Sequence, residues 1–131
     1  MSLERLHEHR RLWRAKPVLA RVYEPWFSAL LDAVPHGGRV LEAGAGPGFL
    51  KEAARECRPD LRWIASDLQR TPWNDLAADA SRLPLAAGSV DTVVGLDVLH
   101  HLAAPAAFFA EAARVLRTGG SLALVEPWIT P

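Results

Sequence analysis

Arg39-Val40-Leu41-Glu42-Ala43-Gly44-Ala45-Gly46-Pro47-Gly48-Phe49-Leu50 is the stretch on which the reading of the chain turns. A short apolar run reaches an acidic residue, three glycines follow at alternate positions, and a helical pattern begins. Glycine lacks a Cβ, so it accepts positive φ and lets a ligand approach the backbone closely. A helix behind such a turn presents free N–H groups and the positive end of its dipole. The stretch predicts a strand, a tight turn shaped to lie against a small molecule, and a helix.

Outward from the turn the pattern alternates. Residues 3–15 carry helix formers, and Val18, Leu19, Val22, Trp26, Leu30 and Ala33 recur at three- and four-residue steps, the helical period. Pro25 either kinks that second helix or opens another at its first turn. Pro35-His36-Gly37-Gly38 closes the helical section. Residues 39–43 read as a buried strand, 48–57 as a helix and 61–67 as a second strand. Thr71-Pro72 resembles an N-cap with proline at the first helical position and predicts a short helix ending near Ala78. Residues 79–89 read as a loop and 90–96 as a strand. Pro105 opens a helix with an apolar stripe of Phe108, Phe109, Ala112, Ala113 and Leu116, capped by Gly119-Gly120. Residues 121–126 form a last strand. Strands alternating with helices over short links predict an α/β, doubly wound, Rossmann-like parallel sheet covered on both faces. Its crossovers are right-handed and its ligand crevice lies at the carboxyl ends of the strands.

With 131 residues, the chain has the length of one domain. Half its residues are hydrophobic and 23% are charged, with a formal net charge of zero. No global field draws it to nucleic acid or to an anionic membrane, so neither is an expected partner. Arg5, Arg10, Arg11, Arg14 and Lys16 crowd the start and read as a solvated helix face. Cys57 is the only cysteine, which excludes an internal disulfide and suits a reducing compartment. Its apolar-patterned segment suggests a small buried hydrophobe. With no basic-then-apolar leader and no span-length apolar run, the expected location is the cytoplasm.

The glycine turn is not a dinucleotide fingerprint, because the third position of Gly-x-Gly-x-x-Gly or Ala is Phe49 here. No Gly-Lys-Ser or Gly-Lys-Thr follows, which excludes a phosphate-cradling P-loop. The spacing Glu-x-Gly-x-Gly-x-Gly, from Glu42 to Gly48, resembles the first motif of class I S-adenosylmethionine-dependent methyltransferases. Asp67 ends the second strand where that family carries the acidic residue that holds the ribose hydroxyls. A carboxylate suits the task because it accepts from two adjacent hydroxyls. Asp79-Ala80 with Leu83-Pro84 resembles the adenine segment. Ser89 to Val94, Asp97-Val98-Leu99-His100-His101-Leu102 and Arg114 to Gly120 resemble three further segments in the family's order. The likeness covers residues 39–126 and is greatest to the small-molecule branch.

The resemblance implies S-adenosyl-L-methionine as cofactor and methyl transfer to a small-molecule acceptor. It implies Glu42, Gly44, Ala45, Gly46 and Gly48 at the methionine end, Asp67 and Leu68 at the ribose, Asp79 and Ala80 at the adenine, and Leu96 or Asp97 through their backbone. No metal ligand set stands out. No general base does either: His100 and His101 suit capping or packing beneath the cofactor, and Glu126 faces substrate or solvent. Tyr23 and Trp26 cover the cofactor or belong to the helix core, the second being the plainer reading for Trp26. The family's last two strands are missing, as if the fold were truncated after the fifth strand. A fifth strand left as an edge is a liability, so a homodimer covering it, or a truncated product, is expected. The competing functions are a non-catalytic cofactor-binding partner subunit and a nicotinamide (NAD)-dependent oxidoreductase.

Overall fold

The computed structural model describes residues 1–127. Helix α1 (Leu3–Ala15) starts beneath the Ser2 hydroxyl, which accepts from the Arg5 N–H. Helix α2 (Pro17–Asp32) has proline at its start, where no partner is lost, and runs on through Pro25 as one helix. It buries Phe27, Leu30 and Leu31, and this packing holds it together across the proline.

Five strands follow: β1 (Arg39–Ala43), β2 (Arg62–Asp67), β3 (Leu76–Ala77), β4 (Val90–Leu96) and β5 (Leu116–Val125). They form one parallel sheet in the order β3-β2-β1-β4-β5. Helix α3 (Phe49–Cys57) links β1 to β2, and α4 (Pro105–Val115) links β4 to β5 after a single 3-10 turn at Leu99–His101. Both faces of the sheet are covered. Phe27, Leu30 and Leu31 of α2 and Leu50 and Ala54 of α3 pack on Val40 and Val94. On the other face, Phe108, Ala112 and Val115 of α4 pack with Ala80 and Leu83 on Leu41 and Val93. The strand order reverses between β1 and β4, which puts a crevice outside their carboxyl ends.

Five local expectations are corrected. Thr71-Pro72 starts no helix: the Thr71 hydroxyl accepts from the Asn74 N–H and closes one turn. The chain then joins β2 as β3, with Asp75 N donating to Ala65 O and Ala78 N to Asp67 O, both at 2.9 Å. Sheet pairing outweighs the cap signal there. Gly119-Gly120 caps no helix either. Helix α4 ends at Val115, Leu116 already pairs with Val90, and Gly119 (φ +80°) sits in an irregular stretch that returns to register at Ser121 and Thr92. The α4 stripe is narrower than its pattern suggests, since Phe109 and Ala113 are exposed and Leu116 belongs to β5. Cys57 is exposed at the end of α3. Trp26 is also 41% exposed, so it covers the edge of the aromatic cluster formed by Trp13, Tyr23 and Phe27. The chain end at Trp128-Ile129-Thr130-Pro131 lies outside the described residues; β5 forms one edge of the sheet.

Candidate active site

The turn from β1 to α3 carries three left-handed glycines, Gly44 (φ +66°), Gly46 (+52°) and Gly48 (+83°), each with a different reason for lacking a side chain. A Cβ on Gly44 would lie 2.4 Å from Cγ2 of Val98, so this glycine lets the turn after β1 touch the turn after β4. A Cβ on Gly48 would lie 2.7 Å from the Trp73 ring. A Cβ on Gly46 would meet nothing within 4 Å. Gly44 and Gly48 are thus demanded by the fold, while Gly46 borders open space in the crevice.

Asp67 ties this turn to the end of β2. One carboxylate oxygen accepts from Gly46 N–H at 2.8 Å and the other from Gln69 N–H at 2.9 Å. Ala45 N–H donates to Ser66 O at 2.8 Å, a second tie between the same two segments. Leu68, next in the chain, is 74% exposed. Beyond β3, the exposed Asp79 accepts from the Ser81 N–H and hydroxyl through the same oxygen, and these bonds hold its carboxyl below the usual range. Ala80 turns its side chain into the core beside Leu83, leaving its backbone for any ligand. Leu96 ends β4, and Asp97 adopts φ +54°, the one left-handed non-glycine among the described residues. Carboxyl-end residues of β3, β2, β1 and β4 therefore follow one another along a single edge of the sheet.

The Glu42 side chain reaches toward β2. It is buried and accepts from the Trp63 indole N–H at 2.9 Å. Burial pushes its carboxyl up to about 7, against the opposing Trp63 bond and the Lys51 charge.

Spacing in the sequence missed the residues that brace the turn from outside. Trp73 donates its indole N–H to Gly46 O at 2.7 Å and lies under the Arg10 guanidinium, 4.6 Å from the ring centre. Arg10 also donates to Pro47 O and pairs with Glu52, so α1 is docked on the glycine turn. Trp13 stacks on Phe49 at 4.1 Å and fixes the same helix. Lys51, buried beneath, bonds Trp73 O and both oxygens of Asp75. A basic run read as solvated face thus holds one arginine with a specific seat, and only long-range packing identifies which one.

The turn after β4 carries a second constellation. Glu126, just past β5, accepts from the Val98 and Leu99 N–H groups at 2.9 and 2.7 Å through one oxygen. Its other oxygen lies 2.7 Å from His100 Nδ1. Burial raises the Glu126 carboxyl, but the His100 bond and the backbone donors outweigh it and leave a net lowering. The His101 ring packs against His100 with centroids 4.0 Å apart. Asp97, His100 and Glu126 bring ligand-type atoms within 4.8 Å of one another. Both Glu126 oxygens are already engaged, so the arrangement fits an oriented histidine better than an open metal site.

The sequence profile of the family described as a methyltransferase domain matches residues 28–124. An uncharacterized 37.1 kDa protein in transposon TN4556 of Streptomyces fradiae is 38% identical over 122 residues, covering 82% of this chain and 35% of that protein. A protein of Mycobacterium sp. (strain JLS), described as an uncharacterized methyltransferase, is 32% identical over 126 residues, covering 89% of this chain and 50% of its own length. A solved structure from Bacillus halodurans C-125, described as a methyltransferase, superposes with a TM-score of 0.67 at 25% identity, covering 76% of this chain and 50% of that one. The chain spans at most half the length of these relatives. Profile, relatives, strand order and glycine turn agree: this chain belongs to the methyltransferase domain family, of the class I S-adenosylmethionine-dependent type.

Proposed function

We propose that residues 39–127 form the S-adenosylmethionine-binding core of a methyltransferase acting on a small molecule. The observation that carries this reading is Gly46. It is the one glycine of the turn whose missing side chain borders open space, and its N–H meets the Asp67 carboxylate at the carboxyl ends of β1 and β2, beside the point where the strand order reverses. Ionised Asp67 has acceptor sites left after the Gly46 and Gln69 bonds, enough for two ribose hydroxyls. The second oxygen of Asp79, not bonded to Ser81, is available to an exocyclic amine, with the Ala80 backbone and the Leu68 side chain flanking the nucleoside. The backbone at Gly44, Ala45, Gly46, Gly48 and Leu96 lies at the methionine end.

The cofactor, when bound, supplies a methyl group activated on a sulfonium. The chain's own work is to bind, align and exclude water, and alignment alone contributes several kcal/mol. His100 is the candidate proton acceptor: Glu126 engages Nδ1, which leaves Nε2 to serve as the base. This reading favours an enzyme over a non-catalytic module. Phe49, where a dinucleotide turn needs glycine or alanine, is stacked on Trp13, which disfavours the nicotinamide alternative. The open edge of β5 is the place where a second copy, or further strands of a longer chain, would pair.

Isothermal calorimetry with S-adenosylhomocysteine tests the assignment. Binding is expected for the chain and lost in Gly46→Val, with circular dichroism checking that the variant is folded. Undiminished binding by a folded Gly46→Val chain would sink it.

A further inference from the structure

Three arginines gather at the amino ends of the strands, on the opposite side of the sheet from the crevice. Arg39 opens β1 and Arg62 opens β2, and they are register partners on adjacent parallel strands. Their side chains therefore leave the same face of the sheet. Like charges placed opposite one another on neighbouring strands destabilise the pair. Among the described residues neither the Arg39 nor the Arg62 side chain is in a salt bridge: the Arg39 guanidinium donates only to the Ser89 carbonyl, at 3.4 Å, and feels Asp91 through space, while Arg62 makes no side-chain hydrogen bond.

The third member is Arg117, on the β5 side. Its Nε donates to one oxygen of Asp91, whose other oxygen accepts the Arg39 backbone N–H at 2.7 Å. Asp91 thereby orients Arg117 and is the one carboxylate lining the hollow, where three guanidinium groups face a single negative charge. Asp60, which accepts from the Gly37 N–H at the rim, is paired with Arg58 at 3.0 Å. The three arginines, Asp91, Gly88 and Ser89 border a hollow of about 210 Å³. Gly37 and Gly88 bring no side chain to its rim.

We propose that this hollow binds a dianionic phosphate group, either free phosphate or the phosphate of a small phosphorylated molecule. Two guanidinium forks on paired strands, with a third held by Asp91, can share the oxygens of one tetrahedral anion. The charge excess matches a dianion better than a single carboxylate. The site lies at the amino ends of the strands and the methyl-transfer crevice at the carboxyl ends, so each assignment stands or falls without the other.

The test is phosphorus-31 NMR of inorganic phosphate and, separately, ethyl phosphate, titrated with the full chain at constant ionic strength. Thermal unfolding with chloride replaced stepwise by phosphate runs beside it. Saturable line broadening and a saturable rise in melting temperature are expected with phosphate and not with chloride. Arg39→Gln and Arg62→Gln should each weaken the apparent affinity at least tenfold and leave binding of S-adenosylhomocysteine as in the parent chain. Tighter binding of ethyl phosphate than of inorganic phosphate would point to a phosphorylated molecule as the source, and the reverse to free phosphate. Equal responses to phosphate and chloride, or a phosphate response that either variant retains in full, would overturn the proposal.

Discussion

Replacing Glu42 with glutamine isolates the energetic consequence of a carboxyl group buried beside the glycine turn. Burial raises its pKa from the ordinary 4.5 to about 7. At about 1.4 kcal/mol per pH unit, this favours the protonated form in the folded chain by about 3 kcal/mol. The sign follows from linkage. Between these two values the folded chain holds a proton that the unfolded chain has released, so stability falls as pH rises. The contribution is complete below about pH 4.5 and gone above about pH 7. Glutamine can still accept from the Trp63 N–H through its amide oxygen, but it does not ionise. Urea unfolding of both chains, followed by tryptophan fluorescence between about pH 5 and about pH 8, reads the effect directly. The parent chain should lose about 3 kcal/mol relative to Glu42→Gln across this window, with parallel curves above it. Glu111, held down to about 2 by Arg114 and the Leu83 N–H, and Asp91, held low by the Arg39 N–H and Arg117, act with opposite sign. Their stabilisation is lost only in acid below the window, and it cancels in the comparison. Parallel profiles across the whole range would refute a buried, charge-averse Glu42.

Two further outcomes follow from the turns on either side of the crevice. Gly44→Ala should destabilise the chain by about 3 kcal/mol, because its Cβ meets Val98 at 2.4 Å in a left-handed conformation; Gly46→Ala, which meets nothing, should lose only about 1 kcal/mol from backbone strain. Denaturant midpoints of the pair check this, and equal losses would contradict the assignment of Gly44 to packing. Nitrogen-15 NMR of the His100 ring should show the tautomer protonated at Nδ1, with that preference weakened in Glu126→Gln. A parent ring protonated at Nε2 would remove the proposed base.

Much of the fold was legible because it rests on local chemistry. Helix α1, with its Ser2 cap, and strands β1 and β4 fall where residue pattern alone sets them. The short segment from Thr71 to Ala78 was misread because a threonine-proline start is a local signal. What settles it is the hydrogen-bonding edge of β2, which offers Ala65 O to Asp75 and Asp67 O to Ala78, ten and eleven residues earlier in the chain. Gly119-Gly120 failed likewise: a glycine pair reads as a helix cap, yet here it relieves a mismatch of register against β4. Continuity of α2 through Pro25 was left open in sequence and is settled by burial of Phe27, Leu30 and Leu31.

For the candidate site, the alternate glycines and the acidic strand end at Asp67 were visible from the start, since backbone freedom and carboxylate chemistry are written in residue type. Sequence could not say that the three glycines do different work. That depends on Val98 and Trp73, brought against Gly44 and Gly48 from distant segments. Nor could it show that Glu42 turns inward to Trp63, that Arg10 alone of the basic run seats on the turn, or that Glu126 engages His100. Residue type and spacing determined the strand, the turn and the kind of ligand they suit. Which side chains meet across the crevice was decided only by the parallel sheet, because its order brings the ends of β1, β4 and β5 side by side although they lie far apart in the chain.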